Sequence, residues 1–410
     1  MHQTPTDKQH DMNFDFTEHQ SILRDSVRDY ARRELGAAAL QRAHSDDYPW
    51  DVAASMAQQS LLGITIPEAQ GGVGGTLTDA VIAIEQVAAV CPRSADVVQA
   101  GNFGAIRVLA QFGNPEQHER LLKPLLAGKA LISVAMTEPN AGSAVTELKT
   151  TAVPDGAGGY RISGSKIFTT HGLHATMFLV YVRFGPGVQG IGSVLIERGA
   201  PGFTFGKPVR FLSGEEWNTL HFDSVHVKPE NVLLGPGGFK KQMAGFNVER
   251  IGNSSRSLAL GRHAFEIAKE HASLREQFGR PLCDFQGLQW KFANMKVQLD
   301  AAQLLLYRAA QHADAGFPSA DETAIAKVAC NRAGFEVSNE AMQIMGGAGY
   351  SEDSLVEYCF RRTRGWMIAG GAIEVLLNRI AEGVFERRFS QRADEGKRGA
   401  SSVAAAAEAQ

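Results

Sequence analysis

The stretch F-N-V-E-R-I-G-N-S-S-R-S-L-A-L-G at residues 246–261, followed by R-E-Q-F-G-R-P-L-C-D-F-Q at 275–286, decides how this chain is organised. Ile251, Leu258, Phe265 and Ala272 recur every seven positions, the spacing of a buried helical seam. That helix carries a carboxylate, Glu249, near its start and an Arg-bearing turn at its end. A base at one end and an anion-friendly turn at the other predict two separate jobs for one helix.

Working outward, the segment after Pro236 is helical throughout. Leu288, Phe292, Met295, Leu299 and Leu306 form a second stripe, and Ala324 to Met345 a third, broken by Gly346-Gly347-Ala348-Gly349. A fourth runs from about Gly371 to Phe389. Four long helices with narrow apolar stripes predict a bundle, and faces of that length commonly pair subunits. Arg361, Arg362 and Arg364 read as a solvated or interface charge run.

Residues 131–235 differ: Tyr160 to Thr170, Met177 to Phe184, Ile191 to Arg198, Phe203 to Phe211 and Leu220 to Val227 are short β-branched or aromatic runs separated by Gly and Pro. They predict a small barrel or sandwich. Gly185 to Gly190 spells the dinucleotide motif G-x-G-x-x-G, but strands flank it on both sides, so it reads as a hairpin. The first third is helical again, opening on a capping box at Thr17 to Gln20. Gly71 to Gly75 reads as a structural loop, since no Lys-Ser/Thr follows it as in a phosphate loop. The expected class is therefore α+β and multi-domain: an N-terminal helical domain at 16–130, a middle β-domain at 131–235 and a C-terminal four-helix bundle at 236–391. Polar residues 1–15 and the Ala-rich tail 392–410 read as disordered.

Composition narrows the function classes. The 410 residues are 44% hydrophobic, enough for a large core or several domains, and a net charge of -3 with interspersed signs argues against a general nucleic-acid binder. Four isolated cysteines indicate neither zinc nor a disulfide framework and suit a reducing, cytoplasmic setting. No apolar run approaches the roughly 20 residues that span a bilayer. His171, His221, His226, His263 and His271 show no metal-ligand spacing, so no metal is expected.

Two polar segments sit where helices give way to strands: M-T-E-P-N-A-G-S at 136–143 and G-S-K-I-F-T-T at 164–170. Junctions of this kind expose backbone N–H groups and hydroxyls to a heterocycle or phosphates. With V-K-P-E-N-V-L-L-G at 227–235, R-E-Q-F-G at 275–279, Phe285-Gln286 and Q-I-M-G-G-A-G-Y at 343–350, they make a spaced set in fixed order. The chain, over about Phe16 to Phe389, resembles the acyl-CoA dehydrogenase family of flavoproteins. The resemblance implies FAD as cofactor, an acyl-CoA substrate, a homotetramer and an electron-transfer flavoprotein as acceptor.

Carried over residue by residue, it implies that Met136, Thr137 and Thr170 hydrogen-bond the isoalloxazine ring. Phe168 would stack on it where the family usually has Trp, keeping a π-face but losing the indole donor. Ser143 would meet the pyrophosphate or the CoA side, although Ala144 replaces the usual Asp beside it. Arg275, Gln277, Phe278 and Gln286 would hold the FAD of a partner subunit, with Gln343, Gly346 and Gly347 closing over it. Phe246, Asn247 and Arg250 would face substrate, and the arginines at 361, 362 and 364 acquire a CoA phosphate as an alternative partner.

The implied reaction is α,β-dehydrogenation: a buried carboxylate takes the α proton while the β hydrogen leaves as hydride to the flavin. The commonest family pattern draws that carboxylate from the loop before the last helix, where this chain has Ala369-Gly370-Gly371-Ala372. Gly370 cannot be a base. A minority resembling isovaleryl-CoA dehydrogenase takes the base from the bundle helix, which here is Glu249. The bare Gly370 leaves room for branching near Cα and Cβ. Arg93 in C-P-R-S-A resembles the arginine with which glutaryl-CoA dehydrogenases meet a distal carboxylate, so methylsuccinyl-, benzylsuccinyl- or glutaryl-CoA-like substrates are expected. Loss of the loop carboxylate also occurs in desulfinases and in reductases running the reaction backwards, which form the alternative reading; a flavin-bearing partner without turnover is a third.

Overall fold

The computed structural model describes residues 15–313 and 317–389. The two terminal segments expected to be disordered lie almost wholly outside them. The N-terminal helices include α1 (Glu18–Glu34), α2 (Leu77–Ala88) and α3 (Ala95–Asn102). Thr17 caps α1 by the reciprocal bonds of a capping box, Thr17 Oγ1 accepting from Gln20 N while Gln20 Oε1 accepts from Thr17 N.

The middle region is one eight-stranded sheet of order β10-β5-β4-β2-β3-β9-β6, with β1 (Ile132–Ala135) pairing parallel to β4 (Met177–Arg183) off that path. Strands β2 (Thr151–Pro154), β3 (Tyr160–Lys166), β5 (Ile191–Glu197), β6 (Phe203–Phe205), β9 (Leu220–Val227) and β10 (Val232–Leu234) complete it. Residues Met177 to Val182 of β4 are all buried, as expected of a strand covered on both faces. The Gly185 to Gly190 segment joins antiparallel β4 and β5, so it is the hairpin that its flanking strands predict. Between β6 and β9 a short ribbon, β7 (Val209–Arg210) and β8 (Glu216–Trp217), stands off the sheet. The run expected to reach Thr170 stops as β3 at Lys166, because Phe168 takes φ +57 and turns the chain out of the sheet.

The C-terminal helices are α4 (Phe239–Leu274), α5 (Gln286–Gln311), α6 (Ala320–Met345), α7 (Leu355–Trp366) and α8 (Ile373–Val384). The predicted seam of α4 is buried along its length, and each aliphatic side chain there contributes about 1.5–3 kcal/mol by leaving water. Helices α4 and α6 touch backbone to backbone: a Cβ on Gly261 would come within 2.8 Å of Gly334 Cα. That approach fixes α4 against α6. Helix α7 is an addition to the expected four, packed on α4 and α6 and carrying the arginines at 361, 362 and 364 inward as well as outward. The apolar cluster containing Val98, Val248, Ile251, Leu258 and Met295 runs from the N-terminal helices into the bundle without a break.

Candidate active site

Helix α4 crosses α3 at its N-terminal third, and the crossing seats Glu249. Gln99 Nε2 donates to Glu249 Oε1 at 2.8 Å and lies 3.4 Å from its backbone oxygen. Gln99 fits because residue 252 is glycine, where any Cβ would collide with the Gln99 amide. On the other side Gly104, at φ +65 and ψ −129, lies directly under the carboxylate; a Cβ there would stand 3.2 Å from Glu249 Cδ and closer still to Oε2. Glu249 is half-buried. Burial pushes its pKa up to about 7, against the pull of Arg256, of the Gln99 hydrogen bond and of Lys327.

The loop that usually carries the family's base is held from below. Lys327 Nζ donates to Trp366 O at 3.0 Å, Asn331 Nδ2 donates to the same oxygen at 2.6 Å, and Arg250 Nε donates to Gly370 O at 2.9 Å. Gly370 and Gly371 both have left-handed φ. A Cβ at Gly370 would lie 3.3 Å from Lys327 Cε and 3.9 Å from Asn253 Nδ2, so the position faces α4 and α6 but carries no side chain. Burial, then repulsion from Arg250, brings Lys327 down to about 7. Arg250, expected at substrate, is occupied: besides Gly370 O it bonds Asn247 Oδ1 at 2.9 Å and lies over the Phe246 ring at 5.0 Å. The structure thus brings Phe246, Asn247, Glu249, Arg250 and Gly370 into one neighbourhood.

A second group of predicted residues gathers at the sheet edge. Phe168 is 48% exposed in its strained turn and meets Trp217 at 4.4 Å and Phe211 at 5.9 Å between ring centroids. This shelf offers a π-face to a flat heterocycle. Thr169 Oγ1 and both amide atoms of Asn218, neighbours of Phe168 and Trp217 in the chain, are buried without partners. Those observations fit an isoalloxazine ring, with Thr170 exposed beside the shelf and Met136 and Thr137 at the end of β1. Ile167 N donates to Thr137 O at 2.8 Å and Lys166 Nζ to Met136 O at 3.1 Å, tying the two motif segments together. Glu138 locks the motif: its carboxylate accepts from Lys166 Nζ at 2.8 Å, Thr150 N at 2.9 Å and Thr150 Oγ1 at 2.6 Å. Sequence reading missed Glu138 and Lys166 as a pair, although both stand inside the quoted motifs. Ser143 is exposed on the loop between them.

The remaining cofactor residues lie elsewhere. Arg275, Gln277, Phe278 and Gln286 are exposed at the far end of α4, with Phe278 95% exposed, and Gln343, Gly346 and Gly347 are exposed at the end of α6. Twenty-six residues of helix separate Glu249 from Arg275, about 39 Å of rise. One chain cannot bring both to the same reacting atoms, which is the arrangement expected if the turn serves a partner's flavin.

An ion-pair network that sequence reading did not foresee includes Arg256, whose charge bears on Glu249. Asp96 on α3 accepts from Arg93 at 2.8 Å, Arg256 at 2.5 Å and Arg362 at 2.8 Å, and Glu215 pairs with Arg93 at 3.4 Å and with Arg362. Burial opposes ionisation of Asp96, but Arg362, Arg256 and Arg93 hold its carboxyl well below the ordinary range. Arg93, expected at a substrate carboxylate, is therefore engaged by the protein's own acids. Arg362, expected in a solvated run, is buried because it neutralises Asp96; Arg361 keeps to the edge with Glu357. Asp96, His171 and Glu215 bring ligand atoms within 4.8 Å of one another, but the guanidiniums already neutralise both carboxylates, so the group reads as ion pairing.

Residues 17–129, 133–225 and 236–385 match the families described as the N-terminal, middle and C-terminal domains of acyl-CoA dehydrogenase. A 3-sulfinopropanoyl-CoA desulfinase of Paraburkholderia xenovorans is 33% identical, covering 92% of this chain and 99% of its own. The structure of butyryl-CoA dehydrogenase from Megasphaera elsdenii superposes with a TM-score of 0.85 at 32% identity, covering 92% of this chain and 100% of that one. A glutaryl-coenzyme A dehydrogenase in complex with glutaryl-CoA gives a TM-score of 0.88 at 26% identity, covering 94% and 99%. The chain belongs to the acyl-CoA dehydrogenase family, FAD-dependent oxidoreductases acting on acyl-CoA thioesters.

Proposed function

We propose that the chain removes the α and β hydrogens of an acyl-CoA thioester, with Glu249 taking the α proton. The observation that carries this is the seating of Glu249: a carboxylate raised to about 7, fixed by Gln99 and Gly104, across from a Gly370 that offers no competing group. A base near neutrality is ionised often enough to act and basic enough to hold the proton it takes. Gln99 keeps one oxygen aligned. FAD, when bound, supplies the hydride acceptor. Met136, Thr137, Phe168 and Thr170 would hold its ring, and Arg275, Gln277, Phe278, Gln286, Gln343, Gly346 and Gly347 its far end in a partner subunit of a homotetramer. Ser143 would stand at the pyrophosphate or CoA.

The missing side chains at Gly370 and Gly371 support an acyl group with branching or bulk at Cα or Cβ. A distal carboxylate, as in methylsuccinyl-, benzylsuccinyl- or glutaryl-CoA, belongs to the same reading. Electrons would pass to an electron-transfer flavoprotein in the cytoplasm. Anaerobic addition of thioesters to the purified holoenzyme tests the assignment. Glu249→Gln is expected to keep FAD bound and to abolish bleaching of the flavin by substrate; bleaching at the wild-type rate would remove Glu249 from the role. Tight binding of thioesters without any bleaching by the wild type would favour the desulfinase or reductase alternative.

A further inference from the structure

The β7–β8 ribbon carries residues that the reading above does not use. Val209 and Arg210 pair only with Trp217 and Glu216, and among the described residues no strand of the large sheet joins them. A lone two-stranded ribbon is marginal in water, so other contacts must fix its position. Those contacts are largely charged. Glu215 pairs with Arg362 and, at 3.4 Å, with Arg93, and its backbone oxygen accepts from Phe211 N at 2.8 Å. Arg210 bonds Asp46 at 2.7 Å, and Arg361 Nη1 reaches Leu212 O at 3.4 Å. A cavity of about 370 Å³, lined mostly by polar side chains, opens between residues 211–215 and Arg93, Tyr358 and Arg361, so no apolar core seats this part of the ribbon.

What the ribbon presents is aromatic. Trp217 meets Phe168 at 4.4 Å with 60° between ring planes, and stacks on Phe211 at 5.8 Å and 27°. Phe168 reaches that contact from a turn in which both it and His171 take left-handed φ, +57 and +56, and such conformations persist in residues with side chains only where the surroundings enforce them. Polar groups at the same junction are left open. Asn218 and Thr169, which follow Trp217 and Phe168 in the chain, are 1% and 2% exposed, and the Asn218 amide and the Thr169 hydroxyl have no partner among the described residues. Buried polar groups without partners call for a ligand or water. Turn and ribbon thus converge on one place where a flat, polar-edged ring is wanted.

We infer that Trp217 is a further cofactor-binding residue, its indole in contact with the isoalloxazine ring beside Phe168, and that Glu215 is the positioning residue that moors it there. An indole then reaches the flavin from the ribbon, although position 168 itself carries only a phenyl group. This rests on the placement of the ring at Phe168 and Thr170 proposed above. The mooring keeps its charge: burial opposes ionisation of Glu215, but Arg362 and Arg93 hold its carboxyl well below the ordinary range.

Emission of the bound flavin tests the contact without turnover. A photoexcited flavin takes an electron from an indole that touches it and returns it to the same indole, which darkens the flavin with no net oxidation; a phenyl ring does not donate in this way. The wild-type holoenzyme should therefore be nearly dark, and Trp217→Phe should raise the emission severalfold and lengthen its lifetime. Returning an indole to the turn in that background, Phe168→Trp with Trp217→Phe, should darken it again. Trp217→Leu should hold FAD about 2- to 10-fold less tightly when the holoenzyme is diluted, the worth of one aromatic contact. Glu215→Gln should brighten the flavin with Trp217 still in the chain; if it does not fold, Glu215→Asp, which keeps the charge but shortens the tie, is read in its place. Emission unchanged by Trp217→Phe overturns the contact. A Glu215 variant that melts lower yet stays as dark as the wild type overturns the mooring. Phe168→Leu separates this inference from the reading beneath it: if it alters FAD retention or the flavin spectrum while Trp217→Phe alters nothing, only the indole contact fails, and if neither variant changes retention, spectrum or emission, the ring does not lie at this shelf and the placement above fails.

Discussion

Gly104→Ala probes the seating of the base without touching its chemistry. The residue lies at φ +65 and ψ −129, a region that only glycine visits freely, so a methyl group there costs about 1–3 kcal/mol in backbone strain. The added Cβ would also stand 3.2 Å from Glu249 Cδ and nearer to Oε2, where unstrained carbon contacts begin at about 3.5 Å. The far end of a glutamate is the softer of the two neighbours. The carboxylate is therefore expected to withdraw by roughly 1 Å, out of line with the substrate and away from Gln99. A misplacement of that size lowers a positioned reaction by about 100-fold. The assay is stopped-flow flavin reduction under saturating thioester, beside a thermal melt of the holoenzyme. The expected result is a melting temperature lower by a few degrees, unchanged FAD content and a reduction rate about two orders of magnitude slower. A variant that melts lower yet reduces its flavin at the wild-type rate would show that the carboxylate does not depend on the Gly104 floor, and the reasoning would fail.

Three further expectations follow from the same geometry. The rate of flavin reduction should fall below about pH 7, because only the ionised Glu249 can accept a proton, and it should drop about tenfold per unit once well below that value; a rate flat from pH 8 to 5.5 would contradict it. Lys327→Met removes a cation that favours ionised Glu249, so the acidic limb should move to higher pH, and a shift to lower pH would show the sign to be wrong. Asp96→Asn leaves three buried guanidiniums short of a partner and should cost about 3–5 kcal/mol, seen in denaturant unfolding at pH 7. Because the folded Asp96 and Glu215 carboxyls are held low, their contribution is fully present above their unfolded values near 4 and fades as pH falls further, so the gap between wild type and Asp96→Asn should narrow towards pH 2 to 3.

The domain order, the helix bearing Glu249 and the two motif segments were legible in residues alone, because they rest on local periodicity and on short runs whose turn chemistry is their own. The hairpin at Gly185 to Gly190 was legible for the same reason: strands on both sides leave no room for a dinucleotide fold. Whether Glu249 would be a base or a solvated helix carboxylate was not, since it depends on Gln99 and Gly104, about 150 residues earlier, arriving beside it. Long-range charge pairing was the least visible. Arg93 lies 269 positions before Arg362, and nothing local says that both will be drawn to Asp96. A run such as Arg361, Arg362 and Arg364 looks like a wet surface until a helix turns one of its members inward, and burial then converts a solvated charge into one that must find a partner. Spacing in the chain named the candidate groups; packing in three dimensions set how basic Glu249 is, which arginines are spent, and which still have hydrogen bonds to give.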